Sequence, residues 1–231
     1  MSIPTCTFAM RLQLRISRNS EPVPFDHIPW LLGVLHKWLG PDNPEHDAMS
    51  LYSMGWLMGA QAHDGALNFP RGATWTLGFY GMDPTRRLTE GILNDPLLFR
   101  GMRVLDVQKQ TPPFFASVRT FRVASPVIAR RHREDRSQEY LLWNDERADT
   151  ALTNVLQAKL AAAGFRGEHL NTTVHFDHSY RKGYPKLVAI KGIKHKGSMC
   201  PVVISGTPEA LAFAWSVGVG ELTGSGFGAL R

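Results

Sequence analysis

The stretch Gly218 to Arg231 reads G-V-G-E-L-T-G-S-G-F-G-A-L-R. Five glycines (Gly218, Gly220, Gly224, Gly226 and Gly228) fall within eleven positions, and one aromatic, Phe227, sits between the last two. Such a run reaches backbone conformations closed to other residues and lets a second backbone come very near. Successive N–H groups in a loop of this kind form a concave nest for anions, and the obvious anion is a phosphate. Neither common phosphate motif fits. A P-loop requires Gly-Lys-Ser/Thr opening a helix, and no lysine follows these glycines. A dinucleotide fingerprint requires a strand before it, a helix after it and a later acidic residue, and none of that surrounds this run.

Immediately before the loop, Pro208 to Val217 predicts a short helix capped by Thr207 or Ser205, and Val202 to Ile204 a strand. Further back, Thr172 to Phe176 and Leu187 to Ile193 read as strands. Around them lie Arg181, Lys182, Lys186, Lys191, Lys194, His195 and Lys196, a basic hairpin denser than ordinary surface charge. Asp145 to Ala163 places Ala148, Leu152, Val155, Leu156, Lys159, Leu160 and Ala163 at helical spacing, and Gly164 stops it. Ala129 to Ser137, A-R-R-H-R-E-D-R-S, reads as a solvated loop over a basic patch. Phe114 to Ile128 is strand-like. The second half is thus β-α-β-β-α-(β).

The first half carries the same pattern more regularly. Phe8 to Ile16 alternates strictly: Phe8, Met10, Leu12, Leu14 and Ile16 face one way, and Arg11, Gln13 and Arg15 the other. That is a half-buried strand whose basic face suits a sheet laid against nucleic acid. A helix with Asp26 as N-cap runs to Leu39 and ends at Gly40-Pro41, its buried stripe being Ile28, Leu31, Leu32, Leu35 and Leu39. His36 falls beside that stripe, near the helix C-terminus, where the dipole favours a protonated ring. Asp42 to Ser50 is a polar loop with His46 between Glu45 and Asp47. Leu51 to Ala60 and Thr74 to Tyr80 predict strands around a turn at His63-Asp64-Gly65. Pro84 to Asn94 predicts a helix and Met102 to Val107 a strand. The expected fold is α+β: tandem ferredoxin-like (RRM-like) domains, residues 1–113 and 114–231, joined near Pro112–Phe115 and closed by the glycine-rich loop.

Length and composition agree. A chain of 231 residues holds one large domain or two of about a hundred. A net charge of +6 and a pI near 9.5 point to an anionic partner. No apolar run suits a membrane span, and no signal peptide is evident at the N-terminus. Cys6 and Cys200 give no framework or metal spacing and read as reduced core thiols of a cytoplasmic protein. Paired sheets, a basic hairpin and a glycine loop suggest RNA as the partner.

The residues resemble the CRISPR-associated Cas-six endoribonucleases, which process CRISPR repeat RNA. The loop G-V-G-x3-G-x-G-F-G looks like that family's signature. Val23 to Leu39, V-P-F-D-H-I-P-W-L-L-G-V-L-H-K-W-L, is similar to its first helix. Pro44 to Asp47, P-E-H-D, is similar to the loop that supplies its catalytic histidine. Ala124 to Val127, A-S-P-V, is similar to the segment opening its second ferredoxin-like unit. The resemblance implies metal-independent cleavage in which a ribose 2′-hydroxyl attacks the adjacent phosphate. The products are a 2′,3′-cyclic phosphate and a 5′-hydroxyl. Carried over by position, His46 is the catalytic histidine and His36 the second catalytic candidate. Arg130, Arg131 and the hairpin lysines Lys191, Lys194 and Lys196 become RNA contacts, with the five loop glycines.

No metal or cofactor is implied. The partners would be CRISPR repeat RNA and a CRISPR effector complex, with the chain a monomer or homodimer and no membrane involved. The sequence departs from the family in two places. Met49-Ser50-Leu51 stands where some relatives carry a lysine, and Leu222 stands at a lysine position of the loop. Positive charge beside the scissile phosphate would come instead from Lys37, Arg130 or a protonated His36.

Two rivals remain open at this level. One is a non-catalytic RNA-binding subunit with the same fold. The other is a metal-dependent nuclease or phosphatase built on His175, Asp177 and His178, which lacks clustered carboxylates for a two-metal site.

Overall fold

The computed structural model describes residues 9–41, 49–133, 137–190 and 192–231. Strand β1 (Ala9–Ile16) buries Leu12, Leu14 and Ile16 on one face, as the alternation predicts. Helix α1 (Ile28–Leu39), strand β2 (Tyr52–Met54), a small hairpin of β3 (Gln61–His63) and β4 (Ala66–Asn68), strand β5 (Ala73–Tyr80), helix α2 (Met82–Asn94) and strand β6 (Val104–Gln110) follow. The sheet runs β2-β5-β1-β6 with every pair antiparallel. This is the strand order of a ferredoxin-like unit. Leu31, Leu35 and Trp38 of α1 and Leu88 and Ile92 of α2 cover one face of it. The β3–β4 turn falls on Asp64 (φ 47) and Gly65 (φ 71), the Asp-Gly pair that a two-residue hairpin of this twist favours.

The expected strand from Leu51 to Ala60 shortens to β2, with a separate bridge from Met58 to Thr74. The physical reason lies at Trp56. Its N–H donates to Ala124 O (3.4 Å) and its indole to Gly226 O (2.7 Å), which interrupts the pairing with β5.

The second unit contains β7 (Val118–Phe121), a hairpin of β8 (Ala129–His132) and β9 (Gln138–Leu141), and helix α3 (Arg147–Ala162). Strand β10 (Thr173–Phe176), a hairpin of β11 (Tyr184–Ile190) and β12 (Ile193–Met199), strand β13 (Val202–Ser205) and helix α4 (Pro208–Val217) complete it. Its sheet runs β10-β13-β7. The fourth position is taken by the chain's last residues: Leu230 bridges Val123, Ala124 N–H donates to Ala229 O, and Arg231 N–H donates to Arg122 O. The two sheets make the chain a tandem of ferredoxin-like units.

Two expectations are corrected here. Phe114 to Ile128 holds only the four residues of β7 as strand. Ala129 to Ser137 is no solvated loop, because β8 pairs with β9 and Arg131 lies opposite Glu139. That cross-strand charge pair stabilises a hairpin by ~0.2–1 kcal/mol.

Helix α4 joins the units. Thr207 Oγ1 accepts from Ala210 N–H as its cap, and every residue from Ala210 to Val217 is buried. A ten-residue helix is marginal on its own. Burial of Leu211, Phe213, Trp215 and Val217, each contributing ~1.5–3 kcal/mol, holds it in place. Its carboxyl end lies on the first sheet: Ser53 Oγ donates to Ser216 O (2.7 Å), and a Cβ on Gly78 would collide with the same carbonyl.

Candidate nucleic-acid interface

The glycine-rich loop leaves α4 and turns back between the two units. Its glycines are buried against the chain itself. A Cβ on Gly228 would collide with Val219 O, one on Gly220 with Ile128 O, and one on Gly218 would lie 2.6 Å from Gly228 O. Gly224 abuts Tyr52 and Ser50. The neighbouring N–H groups are spent internally: Val219 to Gly228 O, Glu221 to Ile128 O, and Gly228 to Pro126 O. The expectation of an open anion nest gives way to a closed packing element, because the backbone these glycines admit is the chain's own.

The loop meets α1, Trp56 and the hairpin at Gly226 and Phe227. A Cβ on Gly226 would sit 3.2 Å from Ile28 Cγ2 and 3.6 Å from the Trp56 indole nitrogen. Phe227 is fully buried, its ring edge-on to His195 at 5.7 Å. His195 Nδ1 lies 3.2 Å from the Tyr140 hydroxyl. Burial first, and the Arg130 charge second, push its imidazole below its ordinary value. Lys186 stands 5.9 Å from the Trp56 ring. The constellation therefore combines a half-buried indole, an imidazole, a phenol and an exposed ammonium around one turn of the loop.

The hairpin register explains which basic residues join it. Val188 pairs with His195 and Lys186 with Gly197, so these share the face turned to Phe227, where Val188 and Ile190 are buried. Leu187 pairs with Lys196 and Ala189 with Lys194, so Lys194 and Lys196 present an exposed outer face. Lys191 lies outside the described residues. Sequence alone does not single out Trp56 and Tyr140; it reads Lys186 and His195 as members of the basic hairpin, and strand alternation is the signal that puts them on its inner face.

His46 also lies outside the described residues. Ser50, four positions later, abuts Gly224. His36 is half-buried on α1. It continues the row Ile28, Leu32, His36 that starts against Gly226, about two turns or ~12 Å further along the helix. Lys37 faces elsewhere: its ammonium donates to Asp95 Oδ2 (2.8 Å) and Leu97 O (2.7 Å). Arg130 is held by Glu221 of the loop, with Nε donating at 2.9 Å, and its side chain is only 10% exposed. Arg131 remains half-exposed but pairs with Glu139 at 2.8 Å. Neither Lys37 nor Arg130 thus stands as an open cation beside the loop.

Two buried cations were not foreseen. Lys159 on α3 donates to Thr223 Oγ1 (2.8 Å), which in turn donates to Tyr52 O (2.8 Å), a bridge from one unit to the other through the loop. Burial lowers its ammonium to about 7, against an upward pull from Glu221. Arg11, expected on a basic face open to nucleic acid, is covered by α4. It donates to Trp215 O and stacks at 3.8 Å on the Trp215 ring, and burial lowers it to about 9.

His175 and His178 stack with centroids 6.3 Å apart, and His178 Nε2 lies 2.8 Å from Asp149 Oδ2. Among the described residues no group of three or more His, Cys, Asp or Glu side chains is placed to hold a metal. Cys200 is buried and its thiol is raised to about 11, the state of an unreactive core residue. Among the described residues no helix is long and apolar enough to cross a membrane.

The family model described as CRISPR associated protein Cas6, C-terminal, matches residues 109–231. A solved structure from a Cas6-related gene of Pyrococcus furiosus is similar at 17% identity and a TM-score of 0.83, covering 96% of this chain and 98% of that one. A structure described as CRISPR associated protein Cas6 matches at 19% identity and a TM-score of 0.79, with coverages of 96% and 98%. A Cas6 product complex matches at 16% identity and a TM-score of 0.70, with coverages of 97% and 100%. No curated protein matches. At such identities the structural likeness speaks for the fold.

Proposed function

The chain belongs to the Cas6 family of CRISPR RNA processing proteins, and from that premise we propose that it is a metal-independent endoribonuclease cutting CRISPR repeat RNA. His46 is its principal proton-transferring group and His36 the second. A ribose 2′-hydroxyl loses its proton to one imidazole as it attacks the adjacent phosphate. The other protonates the departing 5′ oxygen, leaving a 2′,3′-cyclic phosphate and a 5′-hydroxyl. Residues 1–113 carry both histidines and residues 114–231 the hairpin and loop. RNA lies along the hairpin's exposed lysines and enters the groove where α1, Trp56 and the hairpin meet the loop.

One observation carries this reading: the turn at Gly226 and Phe227 gathers the start of the α1 row leading to His36, the Trp56 indole, and the hairpin's Lys186 and His195. His46 precedes Ser50 by four residues, a reach of at most ~14 Å from the loop. The glycines hold this arrangement closed, while Lys186 takes over the cationic role that Lys37 and Arg130, paired with Asp95 and Glu221, cannot fill. That pairing is also what favours the second reading, an RNA-holding subunit with the same fold.

Incubation with repeat RNA separates the two. Cleavage should survive EDTA, stop when the ribose upstream of the scissile phosphate is 2′-deoxy, and fall by ~10²–10⁴ in His46→Ala with binding little changed. Cutting of the deoxy substrate, or inhibition by EDTA, would replace the histidine mechanism with a metal-bound water. Binding without cleavage by the unaltered chain would leave the RNA-holding reading.

A further inference from the structure

At the Ile16 end of the first sheet three strands finish side by side, and each is followed or preceded by an arginine. Arg18 follows β1, Arg71 precedes β5 and Arg103 precedes β6; Arg15 lies one step inside β1. All four are exposed. The register brings them together, since Ile16 pairs with Ala73 on one side and Val104 on the other. Ser17 N–H donates to Arg103 O (2.9 Å) and Ser17 Oγ accepts from Arg103 N–H (3.0 Å). Two glycines fix the flanking loops: a Cβ on Gly72 would collide with Ile16 O, and one on Gly101 with Ser20 Oγ. A cavity of about 520 Å³ lies between them, lined by Ser17, Arg18, Asn19, Ser20 and Gly101.

Six arginines elsewhere, Arg86, Arg87, Arg130, Arg131, Arg133 and Arg147, are held by carboxylates, whereas among the described residues others such as Arg119 and Arg122 are not; what sets the rim apart is that its arginines converge at the ends of three neighbouring strands. Among the described residues Arg15, Arg18, Arg71 and Arg103 have no such partner. Asp106, opposite Arg15 in β6, accepts instead from Gln108 (2.9 Å), and Glu21 is taken by Arg100. Beside them Arg100 lies 5.2 Å over the ring of Trp30, a third of whose surface is open to solvent.

We propose that this arginine rim is a second RNA-binding surface, which holds the phosphate backbone of single-stranded RNA running beyond the segment that is cut. The proposal rests on the ribonuclease reading for its substrate and adds a separate place on the protein for it. Neighbouring strands are ~4.8 Å apart, so Arg71, Arg18 and Arg103 span ~10 Å. Three guanidinium groups in one row, each on a long flexible side chain, can each meet a phosphate of a single extended strand. Guanidinium forks suit phosphate oxygens better than ammonium groups do. From Leu77, which pairs with Met54 at the loop, to Ala73 the sheet runs ~13 Å, so the rim is distinct from the groove at Gly226.

The test compares the unaltered chain with an Arg18→Gln/Arg71→Gln/Arg103→Gln variant on three RNAs. One is a minimal repeat fragment spanning the cleavage position; the others add a run of uridines to its 5′ or its 3′ side. On at least one extended RNA the variant should lose about 2 from the slope of log K against log salt, ~0.7 for each contact. On the minimal fragment, binding and cleavage rate should be unchanged. An unchanged slope on both extended RNAs would overturn the proposal, and so would an equal loss on the minimal fragment, which would make the rim part of the cleavage groove. If neither protein cuts the minimal fragment, the ribonuclease reading fails while the slopes still decide the rim. Arg100→Gln, which removes a paired arginine next to the rim, should leave every slope in place.

Discussion

The glycine-rich loop and the β11–β12 hairpin were both read as RNA contacts, each from its density in one kind of residue. The structure sets them on opposite sides of the solvent boundary. Gly218, Gly220, Gly224, Gly226 and Gly228 are buried between the units, whereas Lys186, Lys194 and Lys196 are exposed. The difference lies in what each residue type reports. An unpaired ammonium is too costly to bury, so a run of lysines states its own exposure. A glycine states only that something comes close. In this loop that something is the carbonyl of Val219, Ile128 or Gly228. The loop then acts on RNA through what it positions, and the hairpin through what it touches.

The largest expected effect breaks the loop's half of that contrast. Gly228 has a φ of 60, and a Cβ there would collide with Val219 O. Gly228→Ala should therefore cost the left-handed penalty of ~1–2 kcal/mol and a backbone displacement besides, about 3 kcal/mol in all. For a chain of this size that lowers Tm by roughly 6–12 °C. Thermal unfolding measures it. A variant as stable as the parent would mean that the loop is loosely seated and open to a phosphate after all.

The same contrast marks how far the sequence could be read. Strict alternation announced β1 and helical spacing announced α1 and α3, because one face of each meets a core. The Asp64-Gly65 turn followed from local chemistry alone, and so did a cap for α4, read as Thr207 or Ser205 and found at Thr207. What stayed hidden depends on contacts distant in sequence. Nothing near Arg11 says that Trp215 will cover it, and nothing near Lys159 says that Thr223 waits in the loop. Trp56 interrupts β2 only because Gly226 offers a carbonyl 170 positions later. Arg130 looked like a free cation until Glu221 was placed beside it. Of the candidate site, the loop, the hairpin and His36 could be found by motif and charge. The packing of the hairpin against Phe227 of the loop could not, since it is set by the way the two units close on α4.

A second test sharpens the loop's role as a bridge. Lys159 is buried beneath it, facing Thr223 and the carboxylate of Glu221. In the folded chain burial lowers the ammonium to about 7 from the ordinary 10.5. Between those values the unfolded chain binds the extra proton, so stability rises with pH. Lys159→Met keeps the volume and removes the titration. From pH 7.5 to pH 9 the unaltered chain should gain about 2 kcal/mol on the variant, at no more than ~1.4 kcal/mol per pH unit. Denaturant unfolding of both at each pH provides the comparison, and a constant difference would show that the lysine keeps its proton in the fold.

The smallest effect belongs to the hairpin, and it distinguishes touching from positioning. Lys194 and Lys196 share the outer face across from Ala189 and Leu187, where no core contact depends on them. Replacing both by glutamine should shift Tm by no more than about 2–4 °C, since exposed substitutions away from packing stay near ±0.5 kcal/mol each. Binding of repeat RNA should nevertheless lose ~0.7–0.9 of its salt slope for each lysine that meets a phosphate. Lys37 supplies the control. Its ammonium is tied to Asp95 and the Leu97 carbonyl on the helix layer, and Lys37→Gln removes one formal charge, as each hairpin substitution does. If net charge alone drew the RNA, the slope would fall equally for each charge removed at the two places. If the hairpin touches the backbone, the loss appears with Lys194 and Lys196 and is absent with Lys37. Gly228→Ala, measured below its lowered Tm, should keep the parent's slope even if cleavage slows, because it displaces the groove without removing a cation. A slope that falls with Gly228→Ala and holds with the lysines would reverse the roles of loop and hairpin.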